Sequence, residues 1–177
     1  MSESAAANFA KGLEGIVAGE TTICSIEQGG LWYRGYEIHD LAAHATFEEV
    51  SHVLLVGHKP TAGELAAFKA ELIAERPLHP AVTSFIESVG GYLAAGRAVP
   101  MDVVRTAVSI LGHTDPDAQD NSAAANLRKS KRLLAKIPTI IGHMQNVIDG
   151  NAIIGRELGG DPALSHAANL LYLMSGE

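Results

Sequence analysis

Hydrophobic residues recur at three- and four-residue steps along residues 132–148, RLLAKIPTIIGHMQNVI, and this period predicts a helix. The apolar positions surround the helix instead of lining one stripe, because neighbours such as Ile140 and Ile141 point in different directions. A helix that is apolar on most sides is buried on most sides. Two interpretations are open: a core helix bent at Pro138, or a helix at the interface of a dimer. In either case Gly142 lets another backbone come close.

The rest of the chain shows the same helical period, punctuated by caps, glycines and prolines. Thr46 with Glu49, and Thr61 with Glu64, form capping-box patterns that open helices. Predicted helices cover residues 37–43, 47–56, 62–74, 81–95, 101–111, 122–147 and 163–174, with one more turn around 153–157. Residues 26–36 predict a β-hairpin with its turn at 28–30. The predicted fold class is all-α: an orthogonal multi-helix bundle with a small N-terminal β-hairpin, in which residues 1–10 are a flexible leader.

The composition agrees with packed helices, since 47% of the residues are hydrophobic and only 5% are aromatic. A net charge of −7 argues against a nucleic-acid surface. The single cysteine, Cys24, excludes an internal disulfide, is typical of a reducing compartment, and is expected to be a buried small hydrophobe. No signal-peptide pattern and no membrane-length apolar run is visible, which predicts a soluble cytoplasmic protein without membrane contact.

No residue pattern in the chain forms a self-sufficient catalytic or metal site. The eight histidines include no pair at the i, i+4 spacing of a helical metal site. His113 with Asp115, Asp117 and Asp120 could hold a cation, but the spacing fits no calcium loop, so a helix-capping acidic loop is favoured. The residues themselves therefore predict no catalytic group, no metal ligand and no permanently bound cofactor.

Several segments, read together, resemble the N-terminal half of citrate synthase or of its relative 2-methylcitrate synthase. YRGYEIHDLA and LLAKIPTI are the most specific of these motifs, and the segments occur in the order of that family. They are residues 11–24, 29–42, 47–61, 100–112, 132–140 and 168–177. The resemblance therefore extends from Lys11 to the last residue and makes residues 11–177 the N-terminal part of a citrate-synthase-like helical domain.

The resemblance implies a helical homodimer that condenses an acyl-CoA, by default acetyl-CoA, with oxaloacetate to give citrate and CoA in the tricarboxylic acid cycle. It places helices 101–111 and 132–148 between the subunits. The catalytic histidines, arginines and aspartate of the family lie in motifs that follow the position of NLLYLMSGE. This chain is therefore expected to supply scaffold and dimer interface and to be inactive alone. The alternatives are a non-catalytic or split half that binds a partner chain with the catalytic residues, and a 2-methylcitrate synthase that uses propionyl-CoA.

Two basic residues fall near positions where the resemblance implies a contact with CoA phosphate. Lys11 is one, and Arg128 is the other; solvated surface side chains are the alternative for both. The chain departs from the family at Val99, where histidine is common, and at residues 142–145, where an aromatic residue and an arginine are usual. These departures concern acyl-CoA or effector contacts and leave the fold expectation unchanged.

Overall fold

The structure, a computed structural model, describes residues 17, 19–27, 29–150 and 159–176. In that part of the chain, seven helices follow three short strands. They are β1 (Cys24–Glu27), β2 (Gly30–Tyr33), β3 (Tyr36–Glu37), α1 (Ile38–His44), α2 (Phe47–Val56), α3 (Ala62–Glu75), α4 (Pro80–Ala94), α5 (Pro100–Thr114), α6 (Ala123–Asp149) and α7 (His166–Ser175). The predicted all-α class is confirmed. The leader at 1–10 and the turn predicted at 153–157 lie outside the described residues.

The helix bounds follow local capping chemistry. α2 has the predicted ends, because Thr46 and Glu49 form a complete capping box and Gly57 closes the helix with a φ of 105°. The last helix begins later than predicted because Ser165 is its N-cap, accepting a hydrogen bond from the backbone N–H of Ala168. The helix predicted over 122–147 continues two residues farther than expected, since α6 ends at Asp149 and Gly150 caps it.

The predicted hairpin is part of a three-stranded antiparallel sheet in the order β1-β2-β3. A second tight turn, which the residue pattern did not predict, places Arg34 and Gly35 at φ values of 51° and 86°. Arg34 donates to Thr22 Oγ1 at 2.7 Å and to the carbonyl of Leu54 at 3.2 Å, so it ties the sheet to the C-terminal end of α2. The expectation that Cys24 is buried was wrong, because it lies exposed on the edge strand β1.

α6 is the central helix of the described bundle and packs against α3, α4, α5 and α7. Its continuous course passes through Pro138, and the positions from there to Met144 are mostly buried. The largest apolar cluster lies between α4, α5 and α6: Val82, Ile86, Leu93, Val103, Ala107, Leu111, Ile140 and Met144. Full burial of each large aliphatic side chain stabilises the fold by roughly 1.5–3 kcal/mol. The interpretation of 132–148 as a core helix is therefore confirmed within this chain.

A close backbone contact joins α6 and α7 at Gly142. A Cβ at this position would collide with Leu173 Cβ and lie 3.1 Å from the carbonyl carbon and oxygen of Leu173. Asn146 Nδ2 donates to the Leu173 carbonyl at 2.7 Å on the same side. The predicted close approach at Gly142 is confirmed, and α7 is held against α6 through its backbone.

The capping box of α3 supports a prediction of pH dependence. Backbone and hydroxyl hydrogen bonds from Thr61, with a smaller contribution from His58, hold the pKa of Glu64 at about 2, below its usual 4.5. A carboxylate whose pKa is lower in the folded state stabilises the fold above its unfolded pKa, and this contribution disappears as the pH falls from 4.5 toward 2. We expect Glu64→Gln to flatten the loss of stability in that range, measured by urea unfolding at a series of pH values.

Glu20→Gln is the matched control, because it removes the same charge from an exposed position ahead of β1. The two variants should differ in the slope of unfolding free energy against pH. If the unfolding free energy of Glu64→Gln falls as steeply with decreasing pH as that of the unmodified chain, the capping box does not stabilise the Glu64 carboxylate.

Candidate functional site

A buried polar joint holds the N-terminus of α7 against α2 and α3. The backbone N–H of His166 donates to Glu48 Oε1 at 2.9 Å. Arg76 donates from Nη1 to the carbonyl of Asp161 at 2.9 Å and from Nη2 to the carbonyl of Leu164 at 3.1 Å. Glu48, Arg76 and His166 are all buried, and they border a cavity of about 240 Å³. We call these three residues the α7 joint.

The electrostatics of the α7 joint follow from burial. Burial lowers the pKa of His166 from its usual 6.5, the nearby Arg76 cation lowers it further, and Glu48 opposes both. Burial also lowers the pKa of Arg76, whereas the negative charges of Glu48 and Asp161 act to raise it. The imidazole of His166 stacks on the ring of Phe47, with centroids 4.6 Å apart and planes inclined by 8°. At neutral pH the joint therefore places the Arg76 cation beside an uncharged histidine.

A second charged region lies where the loop after α5 meets α6. Arg128 binds Asp117 with two hydrogen bonds, from Nε at 2.9 Å and from Nη2 at 2.7 Å. Arg132 donates to Asp115 Oδ1 at 2.7 Å and to Asp117 Oδ2 at 2.6 Å. The hydrogen bonds from Arg128 and Arg132 hold the pKa of Asp117 well below its usual range. Two arginines and two aspartates thus form one compact ionic network.

The larger cavity, of about 460 Å³, lies beside this network between the α3–α4 turn, the end of α5 and α6. Arg132 and Lys136 line it, but both are bound to the protein itself. Lys136 Nζ donates to the carbonyls of Glu75 at 2.5 Å and Pro77 at 2.9 Å. Arg132 Nε lies 3.6 Å from Glu75 Oε1. A ligand that used these cations would have to replace internal partners.

The predicted site residues have different outcomes. Lys11 lies outside the described residues. The Arg128 side chain is 50% exposed, and a phosphate would compete there with Asp117. α5 continues to Thr114, so the acidic loop begins only at Asp115. In it Asp115 Oδ1 accepts from the backbone N–H of Asp117, and Asp120 Oδ1 from that of Ser122, the N-cap of α6.

Within the described ranges, no group of three or more histidine, cysteine, aspartate or glutamate side chains is placed to hold a metal ion. Over the same part of the chain, no helix is both long enough and apolar enough to cross a membrane.

The α7 joint was not predicted from the residue pattern. Glu48 lies in the first turn of α2, where acidic residues are common because they suit the helix dipole. Its burial therefore could not be predicted from its position in the sequence. Arg76 follows α3 next to a proline, and His166 opens a helix 90 residues later. The motif at residues 168–177 begins two positions after His166 and gave no sign of the joint.

Comparison with known proteins gives the family of the chain. The chain matches the family model described as "Citrate synthase, C-terminal domain" over residues 12–177. The chain belongs to the citrate synthase family. The resemblance seen in the sequence is thereby confirmed, and the family is one of condensing transferases.

Two curated members of the citrate synthase family are almost equally similar to this chain. It is 38% identical over 169 residues to a 2-methylcitrate synthase of Mycobacterium tuberculosis, covering 94% of this chain and 40% of the relative. It is 37% identical over 171 residues to a citrate synthase of Deinococcus radiodurans, covering 96% of this chain and 43% of the relative. The chain therefore spans less than half the length of the relatives that it matches.

Solved citrate synthases share the fold. The enzyme of Pyrobaculum aerophilum superposes with a TM-score of 0.81 at 34% identity, over 94% of this chain and 42% of that one. A ternary complex of carboxymethyl coenzyme A and oxaloacetate with the citrate synthase of Thermoplasma acidophilum gives a TM-score of 0.80 over the same shares, but at 20% identity it shows the fold alone.

Proposed function

We propose that this chain is part of a citrate-synthase-type acyltransferase that condenses acetyl-CoA with oxaloacetate to give citrate and CoA. In this proposal residues 11–177 supply the helical scaffold and subunit contact, and the groups that move protons lie on other polypeptide. The observation that carries it is the family match over residues 12–177 of a chain that spans about 40% of its curated relatives.

The geometry of the polar regions supports a scaffold role. General acid–base catalysis needs a titratable group within hydrogen-bond reach of a substrate atom. In the α7 joint, Arg76 and the Oε1 atom of Glu48 hold backbone groups, and the arginines of the ionic network bind aspartates. Both regions fasten one element to another. Both are therefore better suited to holding helices than to turning over a substrate.

The proposed subunit contact uses the faces of α5 and α6, within residues 101–111 and 132–148. Exposed apolar side chains mark the start of α5 and the part of the chain just before it, where Met101 is 70% exposed and Val99 and Tyr92 are also open. α6 contributes less, because four helices of this chain already cover it; Leu133 is its exposed large apolar residue. Apolar groups left in water favour a homodimer or a partner chain at this surface.

The contacts proposed for CoA phosphate are Lys11 and Arg128. An arginine suits a phosphate because its planar guanidinium binds two oxygens at once. Arg128 now makes this kind of contact with Asp117, so a phosphate would have to displace the carboxylate. The match to the citrate synthase family and to curated citrate and 2-methylcitrate synthases supports CoA thioesters as the substrate class, and the proposal includes no permanently bound cofactor.

The test is CoA release followed with a thiol reagent. The 177-residue chain, given acetyl-CoA and oxaloacetate, should release no free CoA above the rate without protein. The same chain joined to the polypeptide encoded after it should release CoA, with the Deinococcus citrate synthase as positive control. CoA release by the 177 residues alone would contradict the proposal that the catalytic groups lie on other polypeptide.

Two alternatives have distinct outcomes in this assay. A split half, binding a separate chain that carries the catalytic residues, should gain activity on mixing and show a heteromeric mass by light scattering. A 2-methylcitrate synthase should have a higher kcat/KM for propionyl-CoA than for acetyl-CoA. Identities of 38% to the Mycobacterium tuberculosis 2-methylcitrate synthase and 37% to the Deinococcus citrate synthase support the two acyl donors equally, so the kcat/KM comparison decides between them.

A further inference from the structure

The α7 joint places a titratable ring at the point where α7 starts. His166 is the first residue of the helix, its backbone N–H is held by Glu48, and its imidazole is buried beside Arg76. The two carbonyls held by Arg76 belong to the segment just before the helix. A change of charge on this one ring therefore acts on the helix start and on the segment leading to it.

Every element packed around the ring contributes to its surroundings. α2 supplies the stacked ring of Phe47 and the carboxylate of Glu48. α3 supplies two cations at the same cavity, Arg76 and Lys69. The preceding segment contributes Asp161, which acts on Arg76. α6 also packs on α7, but its buried histidine, His143, lies 3.8 Å from Glu87 of α4.

Two effects of protonating the ring oppose each other. Stacking on the Phe47 face favours a cation modestly. Burying a new charge beside an arginine is unfavourable, because the ring loses water and faces a like charge. The Glu48 carboxylate already accepts the backbone N–H of His166, so its attraction for the charged ring offsets this only in part. The net effect opposes the charged form.

We propose that the α7 joint is a pH-sensitive latch: protonation of His166 releases the start of α7 and the segment before it from α2 and α3. This inference goes beyond the proposed function and does not rest on it. Because the pKa of His166 is lowered when the joint is closed, the open joint takes up a proton more readily. The closed state is therefore fully favoured above pH 6.5, the usual histidine pKa, and loses stability as the pH falls below it.

The test is hydrogen exchange with mass spectrometry on the full chain between about pH 7.5 and 5.5, where a histidine titrates. After correction for intrinsic exchange, protection of peptides from α7 should fall by up to roughly tenfold for each unit of pKa difference. Protection of α5 should stay constant, because its inner face lies in the apolar cluster and no histidine caps its start. His166→Phe keeps a flat ring against Phe47 and should abolish the pH dependence.

Two further variants keep the result interpretable. His166→Gln removes the titration with a smaller side chain, in case the phenylalanine does not fit, and should also be insensitive to pH. His44→Gln is the control, since this α1 histidine is 72% exposed. The latch is overturned if α7 protection is unchanged over the range, or if either His166 variant retains the pH dependence of the unmodified chain.

Discussion

Replacing Arg76 with methionine should lower the free energy of unfolding by about 3 kcal/mol or more, because two hydrogen bonds from a charged group are lost and each contributes about 1.5–3 kcal/mol. Methionine keeps most of the apolar stem but leaves the carbonyls of Asp161 and Leu164 without their donors. It also leaves the Glu48 carboxylate buried without its neighbouring cation. Urea unfolding followed by circular dichroism measures the change.

Arg105→Met is the matched control, because this arginine is 78% exposed and its contact is a surface pair with Asp102 on the same helix. We expect it to change stability by less than about 1 kcal/mol. The double variant Glu48→Gln with Arg76→Met should cost less than the sum of the single changes, since the first removes a charge that the second leaves unpaired. Equal effects of Arg76→Met and Arg105→Met would contradict a stabilising role of the Arg76 hydrogen bonds in the α7 joint.

Gly142→Ala should destabilise the chain by roughly 1–3 kcal/mol, the range for forcing extra volume into a packed core. The new methyl group would overlap Leu173 Cβ, at a separation that real side chains do not reach. It would also meet the Leu173 backbone at 3.1 Å, and backbone atoms move only if α7 moves with them. Such a shift also weakens the hydrogen bond from Asn146 to the Leu173 carbonyl.

The control for Gly142 lies on α4 and has the opposite expected sign. Gly91 sits inside that helix, and no atom lies within 4 Å of the place that an added methyl group would occupy. Gly91→Ala should therefore stabilise the chain by about 0.4–1 kcal/mol through helix propensity and reduced freedom of the unfolded chain. Thermal unfolding of both variants measures the pair. Equal shifts in Tm of the same sign would show that α6 and α7 are not in close backbone contact.

Elements built from local signals could be predicted. The capping box at Thr46 and Glu49 set the start of α2, and the glycine after Val56 set its end, because caps satisfy backbone groups within a few residues. Elements that depend on distant contacts were less well predicted. The turn at Arg34 and Gly35 was not predicted, since its arginine is held by Leu54, 20 residues away.

Burial of polar residues was the main failure of prediction. Glu48 and Glu49 are adjacent acids at the start of one helix, yet Glu49 completes a local cap whereas Glu48 is buried against a residue 118 positions away. The prediction for Cys24 was wrong in the opposite sense. Cysteine side chains are usually buried, but Cys24 lies exposed on an edge strand. Neither outcome depends on local sequence.

The amino-acid sequence by itself determined the helical class, most helix bounds, the central position of 132–148 and, through its motifs, the family. Periodicity, caps and motifs are local or statistical signals that survive without coordinates. Only the tertiary structure decided that Glu48, Arg76 and His166 meet at the start of α7, and that Arg128 binds Asp117. The physical reason is that hydrogen bonds and ion pairs depend on distance in space, and the chain brings these residues together only when the helices pack.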